Sequence, residues 1–161
     1  MRTDMLKRGG FSLIELLVVI VVIGILAAVV VPNTILAGDT ARITATAQDL
    51  RSMQLALEAY RNKSGRWPAS VGGAMLPPEI QPEFKKTDPF AKTVPTGGIY
   101  DYDGATSSRG PRIRIYGTTG NPIGNDEMIE KLDKEIDDGD IATGRLRKSG
   151  NTIEFYLVAG D

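Results

Sequence analysis

The 161-residue chain contains no cysteine and no histidine. Without cysteine it can form no disulfide, no zinc–thiolate site and no thiol nucleophile. Without histidine it lacks the commonest general base and metal ligand of enzymes. No pair of carboxylates stands out as a candidate for hydrolysis, so the sequence predicts a protein that performs no catalysis.

The charge of the chain is nearly balanced, with 19 basic and 20 acidic side chains and a formal net charge of −1. A dedicated nucleic-acid-binding protein would normally be strongly basic, so this balance disfavours that class. Eighteen glycines and nine prolines are typical of a loop-rich exported domain rather than a compact helical one. The length allows one modest domain in addition to an N-terminal segment.

A short basic segment precedes a long apolar run at the N-terminus. Residues 7–10 read Lys-Arg-Gly-Gly, and no side chain from Leu16 to Val31 is polar. A helix from Phe11 to Val31 would span about 30 Å, the thickness of the hydrocarbon core of a bilayer. Glu15 lies inside this segment, where an acid costs about 2.5–3.5 kcal/mol on insertion. Such a carboxylate predicts a functional role and a positively charged partner.

The stretch Gly10-Phe11-Ser12-Leu13-Ile14-Glu15 resembles the processing site of type IV pilins and type II secretion pseudopilins. The resemblance implies that a membrane peptidase cuts after Gly10 and that the new N-terminal residue, Phe11, is methylated. It also implies that Glu15 pairs with the N-terminal amine of a neighbouring subunit. Pro32 then stands where the family often has a proline that contributes to assembly.

The same resemblance implies a location and a set of partners. The chain would cross the bacterial inner membrane once, with its head outward, and then enter a periplasmic or extracellular filament. Its partners would be the prepilin peptidase and methylase, membrane lipid before assembly, an inner-membrane assembly platform, and copies of itself or other pilins. No cofactor is implied.

Two other interpretations of the N-terminus are an ordinary secretory signal peptide and a plain membrane anchor. A signal peptide would place a small-residue cleavage site after the apolar run, and Ala27-Ala28-Val29 is a weak match. Neither interpretation accounts for Glu15 or for the Gly-Gly-Phe boundary.

The pattern after Pro32 is amphipathic, which predicts that the helix continues. One apolar stripe has the spacing of a 3.6-residue helix and consists of Leu36, Ile43, Ala47, Leu50, Met53, Leu57 and Tyr60. Gly65 is a typical helix stop. We therefore predict one long helix over residues 12–63, loosened at Gly24, Pro32 or Gly38.

The sequence after residue 65 predicts a globular head that contains both helix and strand. A loop over residues 69–98 contains a helical turn near 78–84, and segments 99–102, 112–116 and 152–158 alternate like strands. A second helix over 126–137 can be capped by Asn125. These elements predict an α+β, pilin-like fold in which a long N-terminal helix carries a small antiparallel sheet on its C-terminal half.

The predicted organisation has four segments. These are a leader over 1–10, an apolar helix half over 11–32, an amphipathic helix half over 33–64 and a globular head over 65–161.

An acidic turn follows the second helix. Asp137, Asp138 and Asp140 could supply oxygen ligands to calcium, but their spacing does not match an EF-hand loop, so a solvated turn is the favoured interpretation. With Thr143-Gly144, this turn resembles the acidic turn of some minor pseudopilins. It differs from the calcium loop of the major pseudopilin.

Two groups of basic residues are candidates for nucleic-acid contact. Arg112 and Arg114 share one face of a predicted strand, and Arg145, Arg147 and Lys148 form a second group. A DNA-uptake pilin would use such residues on phosphates. The favoured interpretation is a solvated sheet edge whose charges discourage strand aggregation.

The sequence as a whole predicts a non-enzymatic filament subunit of a type IV pilus or a type II secretion pseudopilus. The alternatives are a minor pilin that primes or tips the filament, and a DNA-uptake or adhesive pilin.

Overall fold

The structure, a computed structural model, describes residues 11–84, 88–105 and 107–158, and for residues 29–36 it describes the backbone alone. Gly10, the predicted last residue of the leader, lies outside these ranges.

The chain forms a long helix, a short 3₁₀ helix, two strands, a second helix and two more strands. The elements are α1 (Leu13–Ser64), the 3₁₀ helix (Pro78–Glu83), β1 (Ile99–Asp103), β2 (Arg112–Tyr116), α2 (Asp126–Ile136), β3 (Leu146–Ser149) and β4 (Thr152–Tyr156). The predicted α+β, pilin-like arrangement of a long N-terminal helix and an antiparallel sheet is confirmed.

Helix α1 has nearly the predicted bounds, and its helical backbone continues through Gly24, Pro32 and Gly38 without a break. It ends where Gly65 adopts a φ of 72° and donates its N–H to the Arg61 carbonyl at 2.8 Å. Only glycine takes up this left-handed conformation without strain, which explains the stop. The chain divides into two compact units between Gly38 and Asp39.

The described part of the first unit consists of Phe11, Ser12 and the first part of α1, and its apolar side chains are exposed wherever the structure describes them. The exposed large ones are Phe11, Leu13, Ile14, Leu16, Leu17, Val18, Val19, Ile20, Val21, Val22, Ile23, Ile25 and Leu26. Within the part of the chain that the structure describes, no helix combines the length and the apolar character needed to cross a membrane.

The second unit has a hydrophobic core built on the predicted stripe of α1. Ile43, Ala47, Leu50, Met53 and Leu57 are all buried there. Each large aliphatic side chain removed from water in this way contributes about 1.5–3 kcal/mol to folding. The stripe therefore supplies the surface on which the sheet of the head packs.

The sheet has four antiparallel strands in the order β1-β2-β4-β3. Alternate residues of each strand face the core, as the period of two requires. The buried apolar ones are Tyr100, Tyr102, Ile113, Ile115, Leu146, Ile153 and Phe155. Strand β3 was not predicted, because Leu-Arg-Lys-Ser has a single apolar residue and shows no alternation.

Candidate functional site

The predicted assembly residue Glu15 lies in the first turn of α1. Its Oε2 accepts the backbone N–H of Ser12 at 2.8 Å, and the Ser12 carbonyl accepts the N–H of Leu16 at 3.2 Å. A carboxylate here satisfies a free N–H at the helix start and lies at the positive end of the helix dipole. The contact holds the carboxylate close to the backbone that follows Phe11.

Two other residues predicted to act at the N-terminus, Phe11 and Pro32, can be located relative to α1. Phe11 precedes α1, and its side chain is 85% exposed among the residues that the structure describes. Pro32 lies inside α1, within the stretch described by its backbone alone. The roles of Gly10, Phe11, Glu15 and Pro32 stay predictions at this point.

Arg112 lies on β2, a central strand of the sheet, and is 6% exposed. Its Nη2 is 2.5 Å from Asp103 Oδ2, and its Nε is 3.4 Å from Glu154 Oε1. The expectation that the two strand arginines form a solvated sheet edge is therefore wrong. They lie in the middle of the sheet because β4 pairs with β2 on the side away from β1.

Arg114 is held in the same way. It forms a short ion pair with Asp101, and its Nε is 3.3 Å from Asp103 Oδ2. Burial lowers the pKa of Arg114, but the hydrogen bond and charge of Asp101 outweigh this and raise the pKa above its ordinary value. A phosphate would have to displace these carboxylates to reach either guanidinium, so the geometry disfavours the nucleic-acid role.

The second basic group makes contacts within the head as well. Arg145 lies 4.9 Å above the ring of Phe155, and Arg147 donates its Nε–H to the Gly144 carbonyl at 2.8 Å. Lys148 Nζ is 3.0 Å from an oxygen of Asp126 at the start of α2. These cations bind neighbouring segments of the head together.

The acidic turn is held by hydrogen bonds between its own groups. Asp138 Oδ1 accepts the N–H of Asp140 at 2.9 Å, and Asp140 Oδ1 accepts the N–H of Ala142 at 3.0 Å. Asp137 Oδ2 accepts the N–H of Arg145 in a short bond. Bonds of this kind are typical of aspartates that shape a turn.

Asp133 of α2 joins this turn and takes the place that the sequence suggested for Asp140. Carboxylate oxygens of Asp133, Asp137 and Asp138 all lie within 4.8 Å of one another, close enough to surround one small cation and to repel one another when ionised. Of the three, Asp133 is buried and the other two are exposed.

Sequence reasoning missed Asp133 and the carboxylates that bind the arginines, although signals for both exist. Asp133 follows Ile129 by four residues and precedes Ile136 by three, so it lies on the apolar face of α2. Asp101 and Asp103 alternate with buried tyrosines, as the arginines of β2 alternate with isoleucines. Opposite charges on facing strands predict cross-strand pairs once the pairing is known.

A helix with an exposed apolar N-terminal half and an acid in its first turn, joined to a head with an antiparallel sheet, defines a pilin-like subunit. Comparison with known proteins agrees. A family model described as the prokaryotic N-terminal methylation motif matches residues 5–31.

Several relatives of the chain carry the name type II secretion system core protein G. The Pseudomonas aeruginosa protein is 32% identical over 129 residues, which cover 74% of this chain and 90% of the relative. The Klebsiella michiganensis protein is 31% identical over 132 residues, covering 76% and 92%. The Klebsiella pneumoniae protein is 28% identical over 136 residues, covering 77% and 94%. The chain belongs to the pilin and pseudopilin family, as a structural subunit of the pseudopilin type and not an enzyme.

Proposed function

We propose that the chain is a subunit of the pseudopilus of a type II secretion system and assembles through the first half of α1. The observation that carries this proposal is the exposed apolar surface from Leu13 to Leu26, which leaves these side chains in contact with solvent in the isolated chain. A continuous apolar surface of this size is typical of a segment that packs against other chains or against lipid. Helices of neighbouring copies would cover it in the filament.

Before assembly, lipid would cover the same surface. We propose that the chain crosses the inner membrane once with its head outward, is cut after Gly10 and is methylated on the new terminal amine of Phe11. The match of residues 5–31 to the methylation motif supports the processing step. The basic residues of the leader support its retention on the cytoplasmic side.

Glu15 is the only charged residue from Phe11 to Gly38, which supports a specific role for it in assembly. We propose that its carboxylate pairs with the terminal amine of Phe11 of a neighbouring copy. Each charge is costly in an apolar environment, and pairing offsets part of that cost. The pair would favour extraction of a subunit from the membrane and set its axial position in the filament.

Replacing Glu15 tests this pairing. Glu15→Leu should insert into the membrane at least as well as the wild type, because it removes a charge from the apolar segment, but should give few or no pseudopili. Glu15→Asp keeps the charge and should retain part of the yield. Wild-type pseudopilus yield from Glu15→Leu, measured by filament shearing and immunoblot, would contradict the pairing role.

Replacing Gly10 tests the cleavage site. Gly10→Val adds a branched side chain where a protease needs close access to the backbone, so the precursor should accumulate uncut. The intact mass of the membrane-extracted protein reports both cleavage and methylation. Wild-type protein that still begins at Met1 would overturn the assigned site and the pairing that depends on it.

We propose that the chain is a bulk component of the filament rather than a minor pilin that primes or tips it. The name core protein G shared by its relatives supports this choice. Quantitative mass spectrometry of sheared pseudopili tests it, because a bulk subunit should dominate the filament protein. A trace amount would favour the minor role.

A further inference from the structure

The C-terminal end of α2 contains a buried carboxylate that, within the described part of the chain, accepts no hydrogen bond of ordinary length and angle. Asp133 is 0% exposed, and among the residues that the structure describes neither of its carboxylate oxygens has a hydrogen-bond partner. A charged carboxylate that is buried in this way is unfavourable unless a donor or a cation stabilises it. Asp133 must therefore be neutral or neutralised in the folded protein.

Two more carboxylates lie directly beside it. The oxygens of Asp137 and Asp138 are within 4.8 Å of those of Asp133. The pKa of Asp133 is raised to about 6, mainly by burial and further by the charges of Asp138 and Asp137, against a smaller opposite effect of the Gly139 N–H. Like charges this close favour the uptake of one proton by the group.

The basic side chains around Asp133 are engaged elsewhere or face solvent. On α2, Lys134 is exposed, and the guanidinium of Arg51 from α1 binds the carbonyl and carboxylate of Glu135. On the β3 side, Arg145 donates its Nε–H to the Tyr156 carbonyl at 3.2 Å, and Arg147 donates to the Gly144 carbonyl.

The polar groups of the turn contribute one more bond. Thr143 donates its hydroxyl to Asp138 Oδ2 at 3.4 Å, and Asp138 Oδ1 accepts the N–H of Asp140. Each carboxylate oxygen has two lone pairs, so Asp138 can still accept one further hydrogen bond. Two ionised carboxylates are both acceptors and cannot bond to each other, whereas a protonated one can donate.

We propose that Asp133 is protonated in the folded protein and shares its proton with Asp138, which makes the junction between α2 and the turn over residues 137–144 sensitive to pH. The proton comes from solvent and returns to it, and no other bond changes. When it leaves, three negative charges face one another, and the hydrogen bond that joins Asp133 to Asp138 is lost.

The sign of the pH dependence follows from the direction of the shift. The pKa of Asp133 is raised from an ordinary 3.8 to about 6. Its contribution to stability is therefore fully present below about pH 4 and is lost as the pH rises through 6. This is opposite to the usual aspartate, whose pKa is lowered by folding.

The test is urea unfolding of the full-length chain in detergent micelles between pH 4 and 8, comparing wild type with Asp133→Asn. The folded-to-unfolded ratio of the wild type should fall, relative to the variant, on the order of a hundredfold across this range. Asp140→Asn removes a turn carboxylate outside the three-carboxylate group and should keep the wild-type dependence. Carbon-13 NMR of the wild-type carboxyl groups should show one aspartate that titrates near pH 6 and is absent from Asp133→Asn.

Three results would overturn the proposal. The first is an identical pH dependence in wild type and Asp133→Asn. The second is a wild-type Asp133 that titrates at the ordinary value, a measurement that decides the matter even if the variant fails to fold. The third is stabilisation of the wild type but not the variant by calcium or magnesium at pH 7, reversed by EDTA, which would make the group a cation site.

Discussion

Arg112 and Glu154, on the neighbouring strands β2 and β4, form an ion pair in which both side chains are buried, with Arg112 Nε 3.4 Å from Glu154 Oε1. Arg112 also binds Asp103 of β1, so its guanidinium joins three adjacent strands. The pair lies on the face of the sheet opposite the hydrophobic core, where alternate residues would ordinarily be solvated. On this face the charged side chains shield one another from water and take the place that a second layer of apolar side chains would occupy.

The first prediction concerns this network. Arg112→Ala removes the buried cation that Glu154 and Asp103 share and leaves them only the more exposed Arg109 and Arg114. Breaking a buried pair in this way costs up to about 3–5 kcal/mol. Arg109 also binds Glu154, at 3.2 Å, but its side chain is 62% exposed, so Arg109→Ala should cost at most about 1 kcal/mol. Urea unfolding followed by circular dichroism measures both. Equal losses from the two variants would show that Arg112 has no special role in holding the strands.

The second prediction concerns two leucines on α1. Leu50 is fully buried in the core and Leu55 is 67% exposed, although they lie less than two turns apart. Leu50→Ala should lower the free energy of unfolding by about 2–5 kcal/mol, because it leaves a cavity under the sheet. Leu55→Ala should change it by less than about 0.5 kcal/mol. Similar losses in the free energy of unfolding for both variants would contradict the assignment of the side of α1 that faces the head.

The third prediction concerns the turn before β1. Gly97 has a φ of 94°, and an added Cβ would lie 2.1 Å from the carbonyl oxygen of Pro122. Gly97→Ala should therefore destabilise the head by more than about 1 kcal/mol, through both the clash and the backbone conformation. Gly120→Ala is the matched control, because nothing lies within 4 Å of its added Cβ. The thermal unfolding midpoint should fall for the first variant and stay close to wild type for the second.

The fourth prediction is a loss of stability in alkali that depends on Tyr100. Its ring is buried and its hydroxyl donates to Asp49 Oδ2 at 3.3 Å. Burial, followed by the charge of Asp49, raises the pKa of Tyr100 well above its ordinary value of 10.0. The folded state therefore keeps the proton that the unfolded chain releases. The stabilisation is present below pH 10 and is lost as the pH rises further.

Unfolding at pH 9 and pH 11 checks this prediction. The wild type should lose more stability between these values than Tyr100→Phe, which has no proton to release. The absorbance of ionised Tyr100, taken as the difference between the wild type and Tyr100→Phe, should rise together with unfolding. A rise in that absorbance from Tyr100 while the protein remains folded would contradict the prediction.

The sequence by itself determined the elements whose signals are local. The run of apolar residues, Gly65 and the seven-residue stripe after Pro32 define α1, because helical periodicity and a left-handed stop act within a few residues of chain. Asn125 likewise capped α2 as predicted, since its side chain accepts the N–H of Met128 three residues later. The motif from Gly10 to Glu15 indicated the family for the same reason.

Only the tertiary structure decided which residues meet across long distances in the chain. It placed β2 between β1 and β4, and this order buried Arg112 among carboxylates instead of exposing it at an edge. Strand order and side-chain pairing depend on the packing of the whole head, and no local pattern in β2 carries that information.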